Sequence, residues 1–259
     1  MQKQLIECVP NISEGRDSKI IEIVSKFVET VEGVTLLDVD PGKATNRTVI
    51  TFVGEPQLVI EAAFRLIKKA AELIDMSKHS GEHPRFGATD VCPLVPISGI
   101  SLEETARYAH QLGERVGKEL GIPGYFYENA AREEKRKNLA NCRSGEYEGL
   151  SAKLSDPDWK PDFGSTQFNN DVAKTGAIAI SARDFLIAYK DKSGNRIVEL
   201  IEIKPKKQIL GEARSERDKI QAIINQAKWQ AAEAFCAQKG IKFRVVTEQD
   251  IFHQGTRRK

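Results

Sequence analysis

Between Leu5 and Ser181 the chain alternates short β-branched runs with amphipathic helical stripes. That alternation limits it to folds in which helices pack on a sheet, because each element has one apolar face to hide. Leu5–Pro10, Val34–Val39, Arg47–Val53, Cys92–Ile97, Gly124–Tyr127 and Ala177–Ser181 read as strands. Ser18–Val31 carries apolar residues at Ile20, Ile21, Ile23, Val24, Phe27 and Val28, a helical stripe. Pro56–Ile74 and Ser101–Leu120 are longer helices, the second opened by Ser101 with Glu103 and Glu104 in its first turn. Asn129–Leu139 reads as a charged helix, and Asn11–Gly15 and Asp156–Gly164 as turn and loop.

Beyond Tyr189 the character of the sequence changes. Phe185–Lys190 and Arg196–Ile203 flank the Gly-containing turn Asp191–Asn195, the pattern of a β-hairpin. A helix over Lys219–Lys239 stops at Gly240, a strand follows at Lys242–Thr247, and the basic end Thr256–Lys259 reads as frayed. The expected class is α/β: a mixed sheet with helices packed on it, then a small hairpin–helix–strand segment. The change is electrostatic as well. Residues 190–259 hold 16 Lys and Arg against nine Asp and Glu, whereas residues 1–189 hold 23 against 28. The basic segment suits a polyanion and the acidic one does not.

No apolar run approaches the ~18 residues of a membrane span, and Glu7 interrupts the place where an export signal needs an apolar core. The four cysteines, Cys8, Cys92, Cys142 and Cys236, form no CxxC pair. Reduced thiols in a cytoplasmic setting are expected, with no membrane partner.

Chemistry is densest in the segment Asp75–Asp90, which places His79 and His83 between a helix and a strand. Glu82, Asp90, Lys78 and Arg85 share it. Imidazole accepts and donates protons near neutrality. Pro84 stiffens the backbone behind His83, and Gly81 and Gly87 permit sharp turns near a ligand. Two readings stay open on these residues alone: a polar connecting loop with a hydrogen-bonded histidine, or a proton-transfer loop. His79 and His83 also match the i, i+4 spacing of a metal pair, but glycine and proline break the helix that spacing needs.

Five blocks in order resemble the glutamate formiminotransferase family: Leu5–Gly15, Leu37–Asp40 with Thr45–Thr48, Ile74–Arg85, Arg143–Glu148 and Trp159–Gly164. The resemblance implies transfer of a formimino group from N-formiminoglutamate to N5 of tetrahydrofolate, here an acceptor substrate. It implies His83 as the catalytic proton carrier, Asp40 as an assisting carboxylate, and a folate segment at Gly164–Ala173 that includes Gly164, Ser165 and Phe168. Asn11, Arg47, Lys78 and Arg85 are candidate substrate-binding residues, the three cations as carboxylate partners. Ser165 departs from the family's proline after Gly164. Two small-molecule substrates and a homodimer follow from the resemblance. So does slow or absent transfer, since the family's second subdomain does not follow in the sequence.

A second resemblance takes over at Asp184. Asp184 heads one arm of the hairpin, and Glu202-Ile-Lys204 lies on the other. With Ile224–Cys236 and Phe243–Phe252, these residues resemble a tailed-phage head-completion nuclease of the PD-(D/E)xK type. That implies Mg²⁺ held by Asp184 and Glu202, Lys204 as the catalytic lysine, and nucleic acid as partner. Arg183 stands where that family has proline, and its helical glutamate upstream is absent. The chain therefore reads as a chimera, 1–183 formiminotransferase-like and 184–259 partly nuclease-like. An inactive fusion, with the hairpin capping the sheet edge, is the third reading.

Overall fold

The computed structural model describes residues 3–184, 187–190, 196–203, 215–239 and 242–246. It divides into two units, Met1–Asp184 and Phe185–Lys259.

The first unit is built on a seven-stranded mixed sheet. Its strands are β1 (Leu5–Cys8), β2 (Asn11–Ile12), β3 (Val34–Gly42), β4 (Arg47–Gly54), β5 (Thr89–Ser98), β6 (Gly124–Glu128) and β7 (Ile178–Ala182). From one edge, β3 pairs β4, β4 pairs both β1 and β2, and these two pair β5, all antiparallel. Then β7 and β6 continue in parallel. β1 and β2 share one lane, interrupted at Val9–Pro10; Pro10 has no N–H to give, but its carbonyl still accepts from Ile50 N at 2.9 Å. So the segment expected to be a turn from Asn11 begins instead as a two-residue strand.

Helices α1 (Ser18–Lys26), α2 (Pro56–Leu73) and α3 (Leu102–Leu120) cover one face of the sheet. Each starts where local chemistry directs. The Asp17 carboxylate accepts from Lys19 N and Ile20 N, Pro56 needs no N–H partner at the head of α2, and Ser101 and Glu104 close a capping box. Strict alternation along β4 sends Ile50 and Phe52 into this layer with Ile6, Cys8, Cys92, Leu94, Phe126 and Ile180. The opposite face of β5, β6 and β7 presents Val91, Tyr125, Tyr127 and Ala179. These pack against α4 (Leu139–Cys142), α5 (Leu150–Ser155) and α6 (Asn170–Thr175) through Cys142, Leu150, Leu154 and Val172.

One expected helix is not formed. Asn129–Leu139 makes turns and a single 3-10 turn at Glu134–Arg136 before α4. Glu128 enters the segment at φ +49°, and Arg136 turns inward. Its guanidinium is 4% exposed and sits 2.6 Å from Asp162, itself 4% exposed. A charge buried that deeply needs its partner, and the partner dictates the path of the backbone.

In the second unit β8 (Ile187–Lys190) and β9 (Arg196–Ile203) form the expected antiparallel hairpin. α7 (Glu216–Lys239) leads to β10 (Lys242–Val246), which joins β9 in parallel. Ala222, Asn225, Trp229 and Cys236 make the buried stripe of α7. Among the described residues no helix is long and apolar enough to cross a membrane.

Candidate active site

The centre of the site is the lane between β4 and β5. Asn11 on β2 lies opposite Val49 of β4 and Val91 of β5. Arg47 opens β4 and Asp90 is the second residue of β5, so three neighbouring strands deliver an amide, a guanidinium and a carboxylate to one spot. The Asn11 amide turns its NH₂ to the Val9 carbonyl at 2.9 Å, leaving Oδ1 to accept from Arg47 Nε at 3.0 Å. Arg47 is thereby aimed before any ligand arrives.

His83 comes to the same spot on the loop after α2. That loop lies against residues 44–46: Asn46 Nδ2 donates to the Ser80 carbonyl at 2.9 Å, and Nε2 of His79 lies 2.9 Å from the Asn46 carbonyl. A Cβ at Gly81 would sit 2.4 Å from the Thr45 carbonyl, so only glycine permits this approach. Arg85 ties the loop from its other end. It donates to the carbonyls of Met76 and His79, pairs with Glu148, and lies 5.1 Å from the Tyr147 ring.

His83 is half-buried. Its Nδ1 lies 2.6 Å from the Pro84 carbonyl, which can only accept, so Nδ1 carries the hydrogen and Nε2 is the basic nitrogen. Arg47 Nη1 lies within hydrogen-bond distance of the ring nitrogens, 2.8 Å from Nε2 and 2.9 Å from Nδ1. Arg143, which caps the end of α4, brings Nη2 to 3.4 Å from Nδ1. Burial first, and then the two guanidiniums, hold the imidazole below its ordinary pKa, against the opposing pull of the Pro84 carbonyl and Asp90.

Asp90 lies beneath both arginines. Its Oδ2 is 3.0 Å from Arg47 Nη1 and 3.1 Å from Arg143 Nη2, while the carboxylate is 1% exposed. These contacts have ion-pair distance without hydrogen-bond alignment, and neither oxygen has a hydrogen-bond partner among the described residues. Burial raises the Asp90 carboxyl above its usual range, and the guanidiniums oppose that rise. With two cations at about 3 Å we read it as ionised, which leaves the cluster one positive charge in excess.

The remaining candidates are dispersed. Asp40 is exposed on β3 opposite Val49, and its carboxylate makes no hydrogen bond or ion pair among the described residues. Lys78 is 82% exposed and paired with Asp75 at 2.9 Å. Gly164 adopts φ +81°, where a Cβ would meet the Ile122 carbonyl at 1.9 Å. Ser165 takes the following position, its N donating to the Gly121 carbonyl and its Oγ to Gln167. Phe168 is half-exposed, with its ring 6.4 Å from that of Tyr147. Asp184, exposed, ends the first unit, Glu202 belongs to β9 in the second, and Lys204 lies outside the described residues. Among the described residues no group of three or more His, Cys, Asp or Glu could hold a metal. The sequence alone points to no site role for Arg143 or Asp90. The signal for Arg143 was its place at the head of the block Arg143–Glu148.

Fold and site together define a class: an α/β unit that sets one half-buried imidazole against two guanidiniums. Comparison with known proteins names the family. Residues 5–183 match the profile of the formiminotransferase domain, N-terminal subdomain, and the chain belongs to that family. It is 53% identical over 186 residues to a formimidoyltransferase-cyclodeaminase of Gallus gallus, covering 72% of this chain and 34% of that one. To glutamate formimidoyltransferases it is 45% identical over 186 residues in Streptococcus pyogenes serotype M1 and 49% over 187 residues in Thermoplasma acidophilum. Those alignments cover 72% and 71% of this chain and 61% and 60% of the relatives. The chain thus spans about a third of the first relative and three fifths of the other two. Residues 158–248 also match a profile described as TnsA-like endonuclease N terminal.

Proposed function

We propose that the first unit serves formimino transfer from N-formiminoglutamate to N5 of tetrahydrofolate, with His83 as the proton carrier. The single observation that carries the reading is the half-buried imidazole of His83 set between the Arg47 and Arg143 guanidiniums. Attack of N5 on the formimino carbon forms a C–N bond and a tetrahedral centre. Nε2 takes the N5 proton, the imidazolium then gives it to the glutamate nitrogen, and the second C–N bond breaks to release glutamate. Such shuttling contributes about 10²–10⁴ in rate. A substrate carboxylate fits the surplus guanidinium charge of Arg47 and Arg143. Asn11 orients Arg47, and Arg85 holds the loop. Phe168 beside Tyr147 offers a face on which the flat parts of folate can stack. Asp40 is retained as an assisting carboxylate that meets the substrate from β3, while Lys78 takes no part. The protein is read as cytoplasmic and dimeric.

The test is glutamate release on mixing the protein with both substrates. His83→Ala should lower the rate at least 100-fold while leaving tetrahydrofolate binding by calorimetry within about threefold. Equal rates in the two proteins would end this reading.

The endonuclease-like match favours a second reading for residues 184–259: a PD-(D/E)xK-type, Mg²⁺-dependent nuclease segment using Asp184, Glu202 and Lys204 on DNA. The β8–β9 hairpin, with β10 added in parallel, gives that reading a scaffold. Cleavage of linear DNA with Mg²⁺, lost in Glu202→Ala, would establish it. No cleavage would leave an inactive fusion.

A further inference from the structure

We propose that Asp90 is a positioning residue for His83: its buried carboxylate fixes the Arg47 and Arg143 guanidiniums and, through them, the place and proton affinity of the imidazole. The inference rests on the reading of His83 as the proton carrier and adds to it the residue that sets the carrier's charge. Asp90 has no hydrogen-bond partner among the described residues, although its carboxylate is 1% exposed. A buried carboxylate with so little satisfaction is costly as a structural element. What it does have is two guanidiniums at 3.0 and 3.1 Å, and both also touch His83. Those guanidiniums come from elements far apart in the chain, the head of β4 and the end of α4. Two like charges at that separation repel, and a shared counter-ion is what allows both to flank one ring.

The charged and polar groups that face this assembly are few. Arg47 also feels Tyr127, Asp90 feels Glu146, and the ring contacts the Pro84 carbonyl. In that setting Asp90 is the one carboxylate in ion-pair contact with the two arginines among the described residues. It offsets one of the two positive charges that would otherwise keep the imidazole from accepting a proton. The site then keeps one surplus positive charge for an anionic substrate and a base that can still be protonated during turnover.

The test is the titration of His83 by NMR in the full chain labelled in its histidine rings, the resonance identified by its loss in His83→Gln. No substrate is needed, so the outcome is independent of whether transfer itself occurs. Asp90→Asn leaves two uncompensated guanidiniums, and the midpoint for His83 should fall by about 0.5–1 pH unit. Arg143→Gln should move it the other way by a similar amount. The signs separate this proposal from a merely structural role. If Asp90 only held the loop in place, its loss would expose the ring and raise the midpoint toward that of free histidine. A midpoint in Asp90→Asn that rises or stays within 0.2 unit would overturn the proposal. Should Asp90→Asn fail to fold, as judged by its amide spectrum, the pair Arg143→Gln and Arg143→Lys decides. The glutamine variant must raise the midpoint and the lysine variant must hold it near the parent value; equal shifts in both would overturn it.

Discussion

Replacing Arg136 by methionine tests how the backbone around the site is held. Arg136 and Asp162 are each 4% exposed and meet at 2.6 Å, and Arg136 Nη2 also donates to the Lys160 carbonyl at 2.9 Å. Asp162 in turn accepts from Phe126 N, at 2.9 Å, on β6. Methionine keeps much of the stem's volume but leaves the Asp162 carboxylate buried with one backbone donor. Removing one partner of a buried pair costs about 3–5 kcal/mol. The Phe126 N–H relieves part of this, so we expect about 3 kcal/mol. For a unit of this size each kcal/mol moves the melting midpoint by about 2–4 °C. Arg136→Met should therefore melt about 6–12 °C below the parent, followed by near-ultraviolet circular dichroism. In the double variant Arg136→Met, Asp162→Asn at least half of that loss should return, because the stranded charge is gone. A drop of less than 2 °C in the single variant, or a further loss in the double, would refute the reasoning.

Three further outcomes follow from the same contacts. Gly81→Ala forces a methyl to within 2.4 Å of the Thr45 carbonyl, and should cost about 1–3 kcal/mol by urea unfolding together with loss of transfer, whereas an unaltered midpoint would contradict the close approach. Lys78→Ala removes an exposed cation already paired with Asp75, so rate and KM for transfer should stay within about twofold in a steady-state assay. All four cysteines are buried thiols, with Cys8 and Cys92 sulfurs 3.5 Å apart. Burial pushes the Cys142 thiol up to about 11, and Cys8 well above its ordinary value. A thiol reagent at pH 8 should therefore label fewer than one cysteine quickly in the folded protein and four after unfolding.

Where local chemistry dominates, the sequence was readable. Ser101 and Glu104 announce the start of α3, alternation marks β4, and glycine with proline around two histidines marks the loop that carries His83. What escaped depends on distant partners. The charges of Asn129–Leu139 suggest an exposed helix only until Asp162 is seen to draw Arg136 inward. α5 and α6, at six residues each, are too short to show a period, so the sequence marks neither as a helix. Arg143 stands 60 residues from His83 in sequence, and nothing in its neighbours reports that meeting. Asn11 reads from the sequence as a candidate for substrate. The geometry adds a contact that the sequence does not report, Arg47 Nε donating to Asn11 Oδ1.

The measurement that bears most directly on the neutral imidazole of His83 is the pH dependence of kcat/KM for formimino transfer. Burial above all holds the ring's pKa below its ordinary value, so the base form predominates at neutrality. The rate should vary little from pH 7 to 8 and fall toward tenfold per unit at lower pH, with its break below the ordinary histidine value, as the ring takes its proton before substrate arrives. A limb that breaks at pH 7 or above, or the same profile in His83→Gln, would contradict the account.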